Sequence, residues 1–186
     1  MSRVVNKDQY FEFGLETLAQ AGFKGLNIGV LVKNLGVTSG SFYHHFGSWQ
    51  GYVDALLAYW ENLQVQKLRD MQFGGTTPEA DVEKLRELTI DLHHEAEAAI
   101  RAWGANDESV RAVQRRVDDA RRKTVGKAIG GVVGDRKLAK TLTSLGMAML
   151  TGYQQLAAAG HHDDLGALLD EYLRLINSHV AAEQRA

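Results

Sequence analysis

A single proline in 186 residues is the feature that most constrains what this chain can fold into. Proline is excluded from helix interiors and is at home in turns and on sheet edges. A chain that almost lacks it, and whose apolar residues recur three and four apart rather than in alternation, reads as all-α. The 19 glycines and the capping residues then divide it into helices. Asn6, Lys7, Asp8 and Gln9 form a capping-box-like start, followed by Phe11, Leu15 and Leu18 on one face and Gly22 as the stop. Asn27 caps a short helix through Leu35, with Leu31 and Leu35 on one face. Gly36 breaks it, and Thr38 caps another that reaches about Tyr43. Gly47 and Ser48 precede a longer helix from Trp49 to about Arg69.

Next comes a linker, Gly74 to Pro78, in which Thr77 is an N-cap and Pro78 takes the first helical position. The following helix is expected to run to about Ala102, and the one after it from Asn106 to about Ala128, before the glycine-rich stretch Gly130 to Gly134. Two more are expected, from about Arg136 to Ala158 and from Asp164 to Ala182, separated by Gly160, His161, His162, Asp163 and Asp164. The expected fold is therefore all-α with about nine helices, without repeats or low-complexity tracts.

Hydrophobic residues make up 45% and charged residues 24% of the chain, the range of ordinary globular proteins. With no cysteine, disulfide frameworks, iron–sulfur clusters, thiolate zinc sites and cysteine nucleophiles are excluded. The N-terminus becomes polar too early for a signal peptide. Apolar runs stop at about seven residues, against about 20 for a membrane span, so a cytoplasmic protein without membrane association is expected. The net charge of -2 gives no basic signature of the kind nucleic-acid binders usually carry.

Residues 27–46 are the informative stretch. Two short helices joined by a glycine-containing turn, each too short to be stable alone, make sense as a helix-turn-helix. Leu31 and Leu35 would face a third helix, Val37 would plug the turn, and Phe42 and Phe46 would anchor the far end. That leaves Thr38, Ser39, Gly40 and Ser41 at the start of the second helix. Small polar residues there let backbone N–H groups approach a phosphate and let the helix enter a major groove. Tyr43 and His44 follow and can donate to phosphates or base edges.

The run from Leu31 to Phe46, with Gly36-Val37-Thr38 followed by Phe42-Tyr43-His44-His45-Phe46, and preceded by Leu18 to Phe23, resembles the DNA-binding domain of the TetR family of transcriptional regulators. The resemblance covers about the first 60 residues. It implies a DNA-binding domain over residues 1–47 and a C-terminal ligand-binding and dimerisation domain over 48–186. The implied function is that of a regulator, in most cases a repressor, that binds a pseudo-palindromic double-stranded operator as a homodimer and is released by a small-molecule effector. The implied DNA-contact set is Asn27, Lys33, Thr38, Ser39, Gly40, Ser41, Tyr43, His44, Ser48 and Trp49.

At the start of the fourth helix the family usually carries a lysine that contacts the DNA backbone, and here that position is Trp49. Its indole N–H can donate to a phosphate, or the ring can simply pack at the domain edge. Across residues 1–60, Arg3, Lys7, Lys24 and Lys33 are balanced by Asp8, Glu12, Glu16 and Asp54. A neutral head predicts a shallow salt dependence, since each phosphate contact contributes about 0.9 to the slope of log K against log salt. The alternative these departures raise is a helical small-molecule- or metal-binding protein of the same fold with weakened or lost DNA binding.

The other constellations are weaker. His93 and Glu97 share a helix face, but one two-ligand pair falls short of a zinc site, and His161 to Asp164 read as solvated loop residues; no metal or cofactor is expected. A phosphate loop, a dinucleotide fingerprint and a nucleophile elbow are missing, so the chain is not read as an enzyme. The basic run from Arg101 to Lys127 is spaced for pairs such as Arg115 with Asp119, which makes it a solvated helix face.

The dimer candidates are Leu145, Met149 and Gly152 on one helix and Leu165, Leu168, Leu169, Tyr172, Leu173 and Ile176 on the last, two helices apolar on more than one face. For the effector pocket the candidates are the large apolar side chains Tyr59, Trp60, Trp103, Met147, Met149 and Tyr153.

Overall fold

The computed structural model describes residues 5–71, 77–161 and 163–183. Within them are nine α-helices and no strand: α1 (Lys7–Gly25), α2 (Ile28–Leu35), α3 (Ser39–Phe46), α4 (Trp49–Asp70), α5 (Pro78–Ile90), α6 (His94–Gly104), α7 (Glu108–Val133), α8 (Arg136–Ala158) and α9 (Leu165–Glu183). Most boundaries have a local cause. Asn6 and Gln9 form a reciprocal capping box, with the Gln9 N–H donating to Asn6 Oδ1 (3.0 Å) and the Asn6 N–H to Gln9 Oε1 (3.1 Å). Gly22, at φ 64°, interrupts α1, which resumes for three residues. Asn27, Thr38 and Thr77 cap α2, α3 and α5. Gly74, Gly75 and Thr76 of the expected linker, and His162, lie outside the described residues.

Two boundaries differ from expectation. The helix expected to run from Pro78 to about Ala102 is two helices, α5 and α6, with no glycine or proline between them. Thr89 Oγ1 donates back to the Leu85 carbonyl (2.7 Å), and the Leu92 N–H donates to the Thr89 carbonyl only three residues back (3.4 Å), which draws the end of α5 tight. The break also falls where the chain passes from one compact unit to the other, at Leu92 and His93. Further on, α7 runs through Gly130 and Gly131 to Val133 and stops only at Gly134, at φ 68°. Burial of Val132 and Val133 (9% and 0% exposed) holds that last turn in place, outweighing about 1 kcal/mol of lost helix propensity per glycine.

Two compact units emerge, one of Met1–Gln64 with His93–Arg116, the other of Val65–Leu92 with Val117–Ala186. Compactness thus groups the chain differently from a division at residue 47, because most of α4, all of α6 and the start of α7 belong with the helix-turn-helix.

In the first unit the core is aromatic: Tyr10, Leu18, Leu31, Phe42, Tyr52, Leu56, Trp60 and Ile100 are all buried. Its centre is a close approach between α1 and α4. The buried Tyr52 hydroxyl donates to the Tyr10 carbonyl (3.0 Å), and burial pushes the Tyr52 phenol up from its usual range. A methyl group on Gly14 would sit 2.1 Å from that hydroxyl and 3.4 Å from both Leu56 δ carbons. Gly14→Ala is therefore expected to expel the tyrosine oxygen and destabilise the head by about 1–3 kcal/mol, despite the better helix former. A thermal melt at or above the wild-type midpoint would contradict this packing.

On the surface of this unit, Arg111 and Arg115 both bond Glu108 (2.7 Å each), and Arg116 makes two 2.6 Å bonds to Glu61. Arg115 therefore pairs backward with Glu108 rather than forward with Asp119 as its spacing suggested; the first turn of α7 offers an acceptor that a second arginine already orients. The second unit is built on Val82, Leu85, Ile129, Val133, Leu142 and Ile176, with Val125, Tyr172 and Leu173 packed against them.

Candidate nucleic-acid interface

The helix-turn-helix is held from both ends and from behind. After α2 the Gly36 N–H bonds the Lys33 carbonyl (3.4 Å) and the Val37 N–H the Val32 carbonyl (3.0 Å). This pairing needs the left-handed conformation that Gly36 adopts (φ 67°). Thr38 Oγ1 then accepts the Ser41 N–H (3.3 Å) and starts α3. Behind α3, the fully buried Phe42 ring lies 5.2–6.0 Å from the rings of Tyr10, Phe46 and Tyr52. Edge and tilted contacts of this kind fix a ring more firmly than area alone. The helix so braced presents Ser39, Gly40, Tyr43 and His44, all exposed, on its outer face, with Tyr43 half accessible (50%).

The ten candidate contact residues do not all stand on that face. Thr38 and Ser48 are exposed but use their hydroxyls as caps, Ser48 Oγ accepting the Gly51 N–H (2.9 Å). Asn27 is exposed, and its side chain caps α2 through the Val30 N–H and donates to the Gly25 carbonyl. Ser41 is half-buried and accepts from the Tyr10 hydroxyl at 3.4 Å, so it flanks the face rather than leading it. Lys33 is exposed on α2. Trp49 is half-buried, its ring stacked near Phe42 (6.5 Å) and tilted against Tyr52 (5.5 Å). With Phe23, Leu26, Ile28 and Trp103 it lines an open groove.

In chemical terms, the face combines uncharged donors with the first turn of α3, whose N–H groups at Ser39 and Gly40 have no intrahelical acceptor. Such a surface can bond an anionic backbone through amides and hydroxyls without cationic side chains.

The second unit contains an apolar cavity of about 60 Å³. Its walls come from α5 (Val82, Leu85, Arg86, Thr89), α7 (Val125, Ile129), α8 (Gly146, Met147, Met149, Leu150) and α9 (Leu165, Leu169, Tyr172, Leu173). Among the six effector-pocket candidates, Met147 and Met149 line it and Tyr153 does not. Tyr59, Trp60 and Trp103 belong to the other unit, where Tyr59 packs on Phe11 (4.9 Å), Trp60 is core and Trp103 stacks on Phe23 (6.1 Å). Their area is covered in the first unit instead, fully for Trp60 and in part for Tyr59 and Trp103. Sequence reasoning missed Arg86, the one charged side chain in the cavity wall among the described residues. The signal was available: Val82, Leu85, Arg86 and Thr89 share one face of an otherwise acidic helix.

The dimer candidates also divide. Leu165, Leu169 and Ile176 are buried within the unit, and Met149, Tyr172 and Leu173 line its cavity. Leu145 and Leu168 are exposed (46% and 39%), as is Gly152. Leu156 and Leu175, which were not candidates, are equally exposed. Leu145, Gly152 and Leu156 fall on one face of α8, and Leu168 and Leu175, seven apart, on one face of α9. Among the described residues no three histidine or carboxylate side chains group as metal ligands, and no helix is long and apolar enough to cross a membrane.

A helix-turn-helix with a small polar outer face, braced by a third helix, has the architecture of a DNA-binding domain. Residues 12–56, which span the helix-turn-helix, match the model of the tetR family of bacterial regulatory proteins. Solved structures share the chain's fold over nearly its whole length. A transcriptional regulator from Rhodococcus sp. Rha1 is 18% identical, with 92% of this chain and 96% of that one covered and a TM-score of 0.76. E. coli NemR in its reduced form is 17% identical (92% and 95% covered, TM-score 0.71). The fatty acid degradation regulator FadR from Bacillus halodurans is 16% identical (95% and 97% covered, TM-score 0.70). No curated protein matches the chain.

Proposed function

We propose that this protein is a ligand-responsive transcriptional repressor of the bacterial cytoplasm, which binds a pseudo-palindromic operator as a homodimer and is released by a small molecule. The observation that carries the reading is the outer face of α3, exposed, small and polar, on a helix locked by Phe42 and its aromatic neighbours. Two such helices in a dimer would enter successive major grooves about 34–36 Å apart, or a little more. Thr38, Ser39, Gly40 and Tyr43 set the depth of entry, and His44 reaches bases or phosphates. An effector in the second unit would favour a head spacing that no longer fits. Linkage then requires that operator DNA weaken effector binding by the same factor. An effector affinity unchanged by saturating operator removes this mechanism. No catalytic role is assigned.

The dimer surface proposed is the α8 and α9 face bearing Leu145, Gly152, Leu156, Leu168 and Leu175. Replacing Leu145 and Leu168 together by glutamate is expected to give a monomer by sedimentation. Each chain should keep its stability within about 0.5 kcal/mol per site, because both side chains are exposed in the single subunit. A double variant that sediments as a dimer places the interface elsewhere.

A second reading has one specific observation behind it. Trp49, where the family usually offers a lysine, packs against Phe42 and Tyr52, so the head lacks a cation at that point. A ligand-binding protein with weakened DNA affinity would show no preference for any duplex over random DNA.

A further inference from the structure

The cavity of the second unit has one polar feature with unspent bonding capacity, and the charges around it select what it can hold. Thr89 donates its hydroxyl to the Leu85 carbonyl and Tyr172 donates its own to the Leu142 carbonyl, so neither has a proton to offer an occupant. Arg86 differs. Its side chain is only 22% exposed, and Nε donates to Asp170 on α9 (2.6 Å). Nη1 stands 3.7 Å from Glu83, beyond hydrogen-bond reach. The terminal nitrogens therefore keep N–H groups without an acceptor among the described residues.

Three carboxylates face this guanidinium, Asp170, Glu83 and Glu87, and together they raise its pKa from the usual value, the Asp170 hydrogen bond most of all. Asp170 and Glu83 are about half exposed (49% and 51%) and neither is part of the cavity wall. A cation entering the cavity would meet Arg86 first. An anion would find the arginine's charge already balanced and three like charges behind it. A neutral hydrogen-bond acceptor meets neither penalty and gains a partly covered, charge-assisted donor.

We infer that the cavity selects small, uncharged, largely apolar molecules carrying one acceptor oxygen, such as a ketone or ester, and that Arg86 is the residue that reads that oxygen. At about 60 Å³, and with roughly 10–15 Å³ for each water-sized occupant, the space fits an occupant of about 4–6 non-hydrogen atoms. The inference rests on the proposed ligand-responsive role of this unit and narrows it to a chemical class.

The test is a ligand-detected NMR titration of the full chain with 2-butanone, butanoate and butylamine, each against wild type, Arg86→Leu, Arg86→Lys and Met149→Trp, with circular-dichroism melts to confirm folding. The expected result is that 2-butanone binds at least about tenfold more tightly than either ion. That advantage should be lost in Arg86→Leu, mostly kept in Arg86→Lys, which still offers a donor, and all binding should be blocked by Met149→Trp, which fills the cavity. Tighter binding of butanoate or butylamine, still blocked by Met149→Trp, overturns the chemical class and leaves the unit a ligand-binding one. Failure of all three to bind a protein that melts normally overturns both the class and the cavity as an effector site.

Discussion

Gly40→Glu is expected to melt at or slightly above the wild-type temperature and to lose DNA binding by more than about 100-fold. The two halves of this result have separate causes. Gly40 lies exposed in the first turn of α3, and a methyl group built on it would meet nothing closer than Thr38 Oγ1 at 3.6 Å. Replacing glycine within a helix gains about 0.5–1 kcal/mol, and a carboxylate near a helix N-terminus adds to that. For DNA the same side chain is wrong in size and in sign. It stands where the helix must approach the duplex, and its charge faces phosphates that the neutral head has few cations to offset. Gly40→Ala, which adds bulk without charge, should fall between the two. Equal operator affinity for Gly40→Glu and wild type would mean that α3 does not enter the groove by this face.

Phe42→Ala should have the opposite profile, acting through stability rather than through the interface. The ring is fully buried and sits among Tyr10, Phe46, Trp49 and Tyr52. Truncating a phenylalanine in such a place costs about 3–5 kcal/mol. A chain of two compact units need not unfold in one step, so the loss should be read with a probe of the head, such as tryptophan emission during urea denaturation. Trp49 lies against the lost ring, and its emission should report the change directly. DNA binding should disappear with the head's order while the helices of the second unit persist in circular dichroism. A shift below about 1 kcal/mol would show that Phe42 is not the brace it is taken to be.

The residues involved in these two variants also show which parts of the molecule could be read from the chain. Asn6, Asn27, Thr38 and Thr77 announced their helices because a cap is a local hydrogen bond between a side chain and a backbone three residues on. The outer face of α3 was equally legible, because exposure there follows from which neighbours are aromatic. The break between α5 and α6 was not, having neither glycine nor proline to mark it, and the passage of α7 through Gly130 and Gly131 contradicted a sound local rule because Val132 and Val133 are buried. The cavity was the least legible part. Its walls come from four helices far apart in sequence, and size alone suggested Tyr59, Trp60 and Trp103, which pack in the other unit. Arg86 acquires its meaning only from Asp170, 84 residues away. In the last two helices the apolar pattern was visible from the start. Which half of it faces the unit's own core, as Ile176 does, and which faces outward, as Leu145 and Leu168 do, required the packed structure.

The central claim, sequence-specific DNA binding by α3, is tested most directly by an anisotropy titration at low salt. The full chain is titrated against duplexes tiling the DNA that flanks its own gene, with a random duplex of equal length as reference. The account predicts one pseudo-palindromic duplex bound by two chains, at least about 10³-fold more tightly than the random one, with binding lost in Gly40→Glu. Equal affinity for every duplex, or binding that Gly40→Glu leaves unchanged, would contradict it.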